Sequence, residues 1–274
     1  MKPILKWAGG KNAIINHIKQ YLPPNMEKRN YHEPFFGGGA LFFNLEPKKG
    51  TINDINKKLI NFYKVVKRQP QQLIDKCGEL QKYNVDEKKY YDLRIQFNEE
   101  NLDKITQASY FLYFNKTAYN GLYRENSNGK FNVPIGKYTD PKIVNEERIL
   151  EASKLLKKIK IYCKDFKYIE KEAKEGDFCY FDPPYYQSEF NTKFTDYSKE
   201  GFTLDDHRRL RDTCIKLNEQ GVFFILSNSN AKEIIQLYGE CGFDIKHVSK
   251  TWMISCNASS RKIVKEILVH NISI

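Results

Sequence analysis

The sequence lacks the signals of several protein classes. No two cysteines are spaced as Cys-x-x-Cys, which argues against a zinc ribbon or a dithiol redox motif, and we expect no metal. The N-terminal MKPILKWAGGK has no signal-peptide core, and no apolar run approaches a membrane span in length. The cysteines are scattered, at Cys77, Cys163, Cys179, Cys214, Cys241 and Cys256. We therefore expect a soluble, cytoplasmic protein with reduced thiols and no membrane partner.

Positive charge and aromatic side chains are abundant instead. The 274 residues include 45 Lys and Arg against 34 Asp and Glu, which gives a formal net charge of +11. This surplus favours a polyanionic partner such as nucleic acid, although solubility alone is an alternative explanation. Hydrophobic residues make up 41% and aromatic residues 14% of the chain, enough for a packed core. The length predicts one large domain or a core with an insertion.

Short apolar runs alternate with segments of helical periodicity, a pattern typical of an α/β sheet protein. The predicted strands are residues 31–33, 51–53, 159–163, 177–181, 222–226, 243–248 and 264–270. Helices are predicted at residues 11–22 and at 203–219, the second of which opens with a Thr-x-x-Asp capping pattern.

Residues 56–156 interrupt this alternation, because they contain helical patterns and no convincing buried strand. Helical periodicity covers 59–66, 71–81, 87–97 and 105–118. Asn128-Gly129 lies between β-prone flanks within residues 120–141 and predicts a short, basic hairpin. We therefore expect an α/β core formed by residues 1–55 and 157–274, with 56–156 inserted between its strands.

Three consecutive glycines follow the first predicted strand, in EPFFGGGALFF at residues 33–43. Glycines there let the backbone turn sharply and let a ligand approach the N–H groups of a helix start. Asp54 ends the second strand, where an acidic side chain commonly holds ribose hydroxyls. Gly37, Gly38, Gly39 and Asp54 together favour a nucleoside-containing cofactor. The alternative is a tight strand-to-helix turn, with Asp54 as a helix N-cap.

The apolar run 177–181 ends in Asp182-Pro183-Pro184-Tyr185, a stiff sequence for a turn. Prolines have a fixed φ and no N–H, so the carbonyls of this loop can face outward. A carboxylate and a carbonyl are two acceptors, which suits an NH2 group, and Tyr185 offers a flat face for stacking. The motif therefore predicts a socket for adenine or cytosine. A rigid turn with a surface tyrosine is the alternative.

Five motifs occur in an order that resembles one enzyme family. They are LKWAGGK at residues 5–11, EPFFGGGA at 33–40, ND at 53–54, KDF at 164–166 and DPPY at 182–185. The chain resembles the Dam-like, alpha-group DNA adenine N6-methyltransferases, and NGLYREN and FNVPIGKY resemble its GATC-methylating members. The resemblance implies a Rossmann-like S-adenosylmethionine-dependent methyltransferase sheet with helices on both faces. It also implies that the insertion is a mostly helical DNA-recognition domain with a β-hairpin.

The resemblance assigns a cofactor site and a catalytic motif. S-adenosylmethionine would be the methyl donor, with S-adenosylhomocysteine as product. The cofactor residues would be Trp7, Ala8, Gly9, Lys11, Phe35, Gly37, Gly38, Gly39, Asp54, Asp165, Phe166 and Asp182. In the catalytic motif Asp182, Pro183, Pro184 and Tyr185, the carboxylate and the Pro183 carbonyl would hold N6 of the target adenine. Tyr185 would stack on that base once it is flipped from the duplex.

The resemblance also assigns residues to DNA. Arg124 would bond guanine O6 and N7, the commonest specific pairing in the major groove. Tyr119, Asn120 and Leu122 would fill the space of the displaced base, and Lys6 would contact a guanine. The predicted phosphate contacts are Lys116, Lys130, Lys137, Ser259, Ser260 and Arg261. A solvated surface is the alternative for the lysines, and an ordinary polar turn for the others. Phe194 and Tyr197 would help to close over the cofactor and base.

Other functions compete with this interpretation. They are a cytosine N4-methyltransferase, an RNA adenine methyltransferase and a catalytically silent nucleic-acid-binding relative. Asp182 favours adenine, because cytosine enzymes more often carry serine there, and the hairpin favours duplex DNA. GATC is a hypothesis that is weakest at its last base. Both solitary action and a separate cognate restriction endonuclease fit the sequence, and we expect a monomer or weak dimer.

Overall fold

The computed structural model describes residues 1–99, 101–186, 202–251 and 263–272. The chain divides into two compact units, each assembled from separate stretches of sequence. Unit 1 comprises Met1–Lys11, Gly37–Lys48 and Asn53–Cys163, and unit 2 comprises Asn12–Phe36, Lys49–Ile52 and Lys164–Ile274. Residues 56–156 thus lie in unit 1 together with the N-terminal motif and the glycine loop. Their role in DNA recognition stays a prediction.

Seven strands form one mixed sheet, as the sequence predicts for an α/β protein. They are β1 Tyr31–Glu33, β2 Gly50–Asn53, β3 Ile159–Tyr162, β4 Phe178–Phe181, β5 Phe223–Ser229, β6 Asp244–Thr251 and β7 Ile263–His270. Their order is β3-β2-β1-β4-β5-β7-β6. β1 is parallel to β2 and β4, β5 is parallel to β4, and β7 is antiparallel to β5 and β6. The strand predictions are confirmed to within a few residues at each end.

Two of the predicted motifs follow strands that are parallel neighbours in the sheet. β1 lies between β2 and β4, so the chain order changes direction there. Doubly wound sheets bind ligands at the carboxyl ends of strands beside such a switch point. The glycine loop follows β1 and Asp182 follows β4. Both motifs therefore leave neighbouring parallel strands at their carboxyl ends.

Ten α-helices occur among the described residues. They are α1 Ile15–Gln20, α2 Ala40–Leu45, α3 Lys57–Arg68, α4 Pro70–Leu80, α5 Glu87–Phe97, α6 Lys104–Thr117, α7 Glu146–Leu156, α8 Ile169–Glu172, α9 Leu204–Glu219 and α10 Lys232–Gly239. The prediction of one helix over 11–22 was too long, because a 3-10 turn at Lys11–Ala13 precedes α1 and no side chain caps α1. The capping prediction for α9 is confirmed: Thr203 and Asp206 form a reciprocal capping box.

Aromatic side chains form much of the core of unit 1. The middle of α6, from Ala108 to Phe114, is buried on every side, as expected for a helix packed all round by neighbours. Asp103 caps α6 by accepting hydrogen bonds from the N–H groups of Ile105 and Thr106. The rings around α6 belong to Trp7, Phe62, Tyr90, Phe97, Phe111, Tyr113, Phe114, Tyr123 and Phe131. Contacts between aromatic rings therefore contribute much of the packing around α6.

The core of unit 2 lies between the sheet and its helices. Buried side chains of β4, β5 and β7 pack against α9 and α10, and Phe181, Leu210, Phe224, Tyr238 and Ile267 are examples. None of the helices described by the structure has both the length and the apolar character needed to cross a membrane.

The predicted hairpin is shorter than a regular one. The chain reverses at Asn126–Gly129, where the Gly129 N–H donates to the Asn126 carbonyl and the Asn126 N–H to the Lys130 carbonyl. Only isolated antiparallel bridges flank the turn, at Glu125–Phe131 and Ala118–Ile135. Pro134 has no N–H to donate, which limits a continuous ladder on that side.

Candidate active site

The glycine loop and the N-terminal motif lie against each other within unit 1. Gly37 has a φ of 48°, and a Cβ there would come within 2.7 Å of Trp7 Cδ1. A Cβ on Gly38 would come within 2.8 Å of Trp7 Cβ. The Trp7 ring also stacks on two aromatic rings, with centroid distances of 5.7 Å to Tyr123 and 6.3 Å to Phe111. The glycines are thus required by the close approach of tryptophan, as well as by the turn.

Asp54 organises the same loop. Its carboxylate accepts hydrogen bonds from the N–H groups of Gly37 and Asn56, both at 2.9 Å. Burial raises the pKa of Asp54 above its ordinary value, and these N–H groups oppose that rise. The N-cap of α3 is Asn56, which accepts from Leu59, so the alternative role of Asp54 as that cap is not observed. Ile55, the next residue, is 74% exposed, an unusual position for a large apolar side chain.

The other N-terminal cofactor candidates form a tight turn in unit 1. Ala8 and Gly9 are exposed, whereas Lys11 is only 4% exposed. The Lys11 ammonium donates to the Gly9 carbonyl at 2.6 Å and closes the turn. Gly39 adopts a left-handed conformation, with a φ of 67°, directly before α2.

Three further candidates come together in unit 2. Phe35 and the buried Phe166 pack with their ring centroids 5.4 Å apart. Asp165 is exposed, and its carboxylate accepts hydrogen bonds from Arg209 at 2.8 Å and from the Lys167 N–H at 3.0 Å. The Arg209 guanidinium also lies 5.0 Å from the centre of the Phe166 ring. Arg209 was not predicted, because 44 residues separate it from Asp165 and no local motif indicates the pair.

The acid–proline–proline–aromatic loop follows β4 directly. Asp182 and Tyr185 are half-buried, Pro183 is buried and Pro184 is exposed. The Tyr185 hydroxyl donates to Glu266 on β7 at 2.9 Å, and Glu266 is only 4% exposed. Burial raises the pKa of Tyr185, and the charges of Asp182 and Glu266 raise it further, so the phenol stays protonated near neutral pH. Glu266 was not predicted, because it lies 81 residues from Tyr185.

The Ser-Asn-Ser sequence at the end of β5 holds the chain that leaves this loop. The Tyr186 N–H donates to Asn228 Oδ1 at 3.4 Å, and the Ser229 hydroxyl donates to the Tyr186 carbonyl at 2.8 Å. The Tyr180 hydroxyl on β4 lies 2.7 Å from the Ser227 hydroxyl on β5. Fully buried His207 lies beside Asn228, and burial lowers its pKa to about 4, so its ring is neutral at neutral pH.

Residues predicted to contact a guanine or to fill the space of the displaced base lie on the loop between α6 and α7. Tyr119 and Leu122 are 50% and 41% exposed, which leaves two large apolar side chains in solvent. Asn120 is in the left-handed region, with a φ of 54°. Arg124 is exposed, and its Nε donates to Asn132 Oδ1 at 2.9 Å, so Asn132 orients the guanidinium.

Asn115 joins the N-terminal motif to this loop within unit 1. Its side chain accepts from the Lys6 N–H at 2.9 Å and donates to the Lys6 carbonyl at 2.7 Å. It also donates to the Gly121 carbonyl at 3.5 Å. The exposed Lys6 ammonium lies 5.1 Å from the centre of the Tyr138 ring. Asn115 was missed because Lys6, whose backbone it binds, lies 109 positions away in the chain.

The predicted phosphate contacts differ in exposure. Lys130 and Lys137 are exposed. Lys116 is half-buried and donates to the Ile4 carbonyl at 2.6 Å. Burial lowers the pKa of Lys116 to about 8, and the charges of Lys6 and Arg148 contribute to that shift. The remaining assigned residues, Phe194, Tyr197, Ser259, Ser260 and Arg261, lie outside the described residues. Within the described ranges, no group of three or more His, Cys, Asp and Glu side chains is arranged to hold a metal ion.

The doubly wound sheet, with one motif after β1 and another after β4, is the fold expected of a Rossmann-like methyltransferase. The sequence profile of the D12 class N6 adenine-specific DNA methyltransferases matches residues 7–254, and the chain belongs to that family. The resemblance to Dam-like enzymes is thereby confirmed. The enzyme is a site-specific, adenine-specific DNA methyltransferase, and its substrate is DNA.

Relatives with similar sequences match the chain over nearly its whole length. It is 44% identical to a type II methyltransferase, M1.LlaDCHI of Lactococcus lactis subsp. cremoris, over 99% of this chain and 95% of the relative. It is 42% identical to the type II methyltransferase M.MjaIII of Methanocaldococcus jannaschii, over 99% of each chain. Identity to the DNA adenine methylase of Escherichia coli strain K12 is 32%, over 97% of this chain and 94% of the relative.

Proposed function

We propose that this enzyme transfers the methyl group of S-adenosylmethionine to N6 of an adenine flipped out of duplex DNA, within the sequence GATC. The observation that carries the proposal is the loop after β4, where Asp182 is half-buried and the two prolines and Tyr185 follow it. This position, at the carboxyl end of a strand beside the switch point, is where doubly wound sheets act on ligands.

The residues of unit 1 fit one part of the cofactor. Gly37 and Gly38 let Trp7 pack directly against the loop backbone, because a Cβ on either of them would clash with Trp7. Asp54 holds the loop through the Gly37 N–H, and lone pairs of its oxygens would accept the ribose hydroxyls. The exposed Ile55 side chain adds an apolar surface next to Asp54 in the sequence. Trp7, Ala8, Gly9, Lys11 and Gly39 would complete this part of the site.

Unit 2 supplies the groups proposed for the cofactor's base. Asp165 would accept the amino group of its adenine, with the Phe166 backbone beside it. Arg209 orients the Asp165 carboxylate by an ion pair at 2.8 Å, and Phe35 packs against Phe166 with ring centroids 5.4 Å apart. S-adenosylmethionine supplies an electrophilic methyl group on a sulfonium sulfur.

The loop after β4 would activate the target amine by accepting hydrogen bonds. The lone pair of an adenine amine is delocalised into the ring, which makes the nitrogen a poor nucleophile. The Asp182 carboxylate and the Pro183 carbonyl would accept hydrogen bonds from its two N–H groups and favour a pyramidal nitrogen with an available lone pair. Asp182 contributes position and charge more than basicity, because the proton can leave after methyl transfer.

The target base must leave the duplex before Asp182 can reach its amine. Flipping costs a few kcal/mol, and stacking on an aromatic side chain offsets part of that cost. Tyr185 would provide the stacking face. Tyr119, Asn120 and Leu122 would fill the space that the base vacates, and the exposure of the two apolar side chains supports this role.

Replacing the proposed catalytic acid tests this mechanism. Asp182→Ala should abolish tritium transfer from S-adenosylmethionine to duplex DNA, because one of the two acceptors is lost. Binding of S-adenosylhomocysteine, measured by calorimetry, should persist within a fewfold range. Asp205→Ala is the matched control, since Asp205 is 82% exposed and pairs with Arg208 on α9. Equal loss of transfer and of cofactor binding in Asp182→Ala would instead assign the residue a structural role.

The GATC assignment depends on Arg124 and Lys6. Arg124→Ala should lower discrimination at one guanine by about 1–3 kcal/mol, because a bidentate contact to O6 and N7 is lost. Sequencing of N6-methyladenine in DNA from cells that express the wild type or the variant measures this effect. Methylation confined to a different sequence would refute GATC, and an unchanged site preference in the variant would refute the role of Arg124.

The names of two relatives bear on the cellular setting of the enzyme. Two of the relatives are named type II methyltransferases, which supports a place in a restriction–modification system with a separate cognate endonuclease. We expect a monomer or weak dimer that acts on DNA in the cytoplasm. Mass measurement by light scattering, with and without duplex DNA, tests the oligomeric state.

A further inference from the structure

Glu266 is a buried acid in the middle of β7, with only 4% of its surface exposed. Its register partners are Ser229 on β5 and Val248 on β6, so the strand is paired along both edges. Burying an ionised carboxylate without hydrogen-bond donors is strongly unfavourable. Glu266 therefore requires a hydrogen-bond donor nearby, and the identity of a donor indicates the role of this acid.

One donor to Glu266 is the tyrosine of the acid–proline–proline–aromatic loop. The Tyr185 hydroxyl donates to Glu266 Oε2 at 2.9 Å. Burial raises the pKa of Tyr185, and the charges of Asp182 and Glu266 raise it further. The phenol therefore remains protonated and continues to donate across the neutral pH range.

The hydrogen bond restricts the side-chain orientation of Tyr185, which the backbone alone does not fix. Pro183 and Pro184 restrict the chain before Tyr185, because each has a fixed φ. The ring still rotates about two side-chain bonds. A hydrogen bond at the far end of the ring, to an acid embedded in a paired strand, restricts that rotation.

We propose that Glu266 is a positioning residue for methyl transfer, whose carboxylate holds the Tyr185 ring in the orientation that stacks on the target adenine. The proposal rests on the proposed function, in which Tyr185 stacks on the flipped base. Glu266 itself touches neither the cofactor nor the reacting amine in this scheme. Its effect on the reaction is exerted through the tyrosine hydroxyl.

A double-mutant cycle on single-turnover methyl transfer tests the proposal. Tyr185→Phe removes the donor and keeps the ring, and Glu266→Met removes the acceptor and keeps a side chain of similar length. We expect each variant to slow transfer about tenfold, as for the loss of one hydrogen bond to a charged group. The double variant should be no slower than the slower single variant. Losses that multiply to about a hundredfold would mean independent roles and would overturn the proposal.

A second readout follows the target base directly. A duplex with 2-aminopurine at the target position fluoresces when that base leaves the stack, and a stacked ring quenches the emission. Both single variants should show higher emission than the wild type, because the ring is no longer held against the base. Glu266→Gln keeps an acceptor oxygen and should slow transfer by no more than about threefold. A Gln variant as slow as the Met variant would overturn the proposal.

Two further outcomes separate this proposal from the function on which it rests. A normal rate in Tyr185→Ala would remove the stacking role itself, and with it both ideas. A slow Tyr185→Ala combined with a normal Tyr185→Phe would keep the stacking role and overturn the positioning role alone. The Tyr185→Phe variant decides the matter even if Glu266→Met fails to fold, since it deletes only one oxygen atom.

Discussion

At the scale of single residues, Gly37 carries two constraints that could be separated only in the structure. Its φ of 48° lies in the left-handed region, where a side chain is strained. A Cβ would also meet the Trp7 ring at 2.7 Å. The sequence predicts the first constraint from the position of the glycine between a strand and a helix. It does not predict the second, because Trp7 lies 30 positions away in the chain.

Alanine at Gly37 should therefore be more harmful than alanine at an equally strained but open position. Gly129 is the matched control, with a φ of 69° and no atom within 4 Å of an added Cβ. Gly129→Ala should cost about 1–2 kcal/mol of unfolding free energy from backbone strain. Gly37→Ala should cost more and should weaken S-adenosylhomocysteine binding at least about tenfold, by displacing Trp7. Equal effects of the two variants in urea unfolding and calorimetry would argue against the Trp7 contact.

At the scale of elements, a buried polar network ties together the ends of three strands of unit 2. His32 on β1 lies 2.9 Å from the Thr51 hydroxyl on β2 and 3.1 Å from the Asp177 carboxylate, just before β4. Burial by itself would raise the pKa of Asp177. Hydrogen bonds from His32, from the Lys174 N–H and from Asn30 outweigh that effect and hold its pKa below the ordinary value.

This network should make stability fall on acidification. A carboxyl whose pKa is lower in the folded state stabilises the fold above its unfolded pKa of about 4, and the contribution is lost as pH falls through the folded value. Asp177→Asn should lower the unfolding free energy by about 1–3 kcal/mol at pH 7. The difference from the wild type should shrink below about pH 4, in urea unfolding followed from pH 7 to 3. A difference in unfolding free energy that stays constant with pH would refute this prediction. Asp205→Asn is the control, because Asp205 is exposed.

Elements were more predictable from the sequence than the partners of their side chains. The strands before the glycine loop and before Asp182 were predictable because apolar runs and punctuating residues are local signals. The capping box of Thr203 and Asp206 is local for the same reason. Glu266 and Arg209 were not predictable, because a strand or helix position alone does not say which distant residue it meets. The short hairpin predicted at Asn128-Gly129 is present as a turn with isolated antiparallel bridges, because a turn signal does not guarantee continuous pairing of its flanks.

At the scale of the whole molecule, the net charge of +11 favours binding to DNA, and the number of phosphate contacts sets how that binding responds to salt. Each phosphate contact releases counterions, so the logarithm of affinity falls linearly with the logarithm of salt concentration. The charges do not contribute equally, because they differ in accessibility. Lys130 is exposed, whereas the Lys116 ammonium is half-buried against the Ile4 carbonyl.

The salt dependence of DNA affinity should therefore distinguish the roles of Lys130 and Lys116. Lys130→Ala should reduce the slope by about 1, because one phosphate contact is lost, with little change in site preference. Lys116→Met should leave the slope unchanged and lower the unfolding free energy, since its bond to Ile4 anchors the N-terminal segment. Fluorescence anisotropy at several salt concentrations measures the slopes. A reduced slope in Lys116→Met would instead support its assignment as a phosphate contact.

The side chain of Asn115 forms two hydrogen bonds with the backbone of Lys6, and Trp7 is the next residue. On the proposed assignments, one short segment therefore serves two ligands, DNA through Lys6 and the cofactor through Trp7. Whichever ligand binds first restricts this backbone, and the second then loses less conformational entropy on binding. The resulting cooperativity is reciprocal: DNA must tighten cofactor binding by the same factor by which the cofactor tightens DNA binding. Because Asn115 orders the segment in advance, it would keep that factor small, and Asn115→Ala should enlarge it.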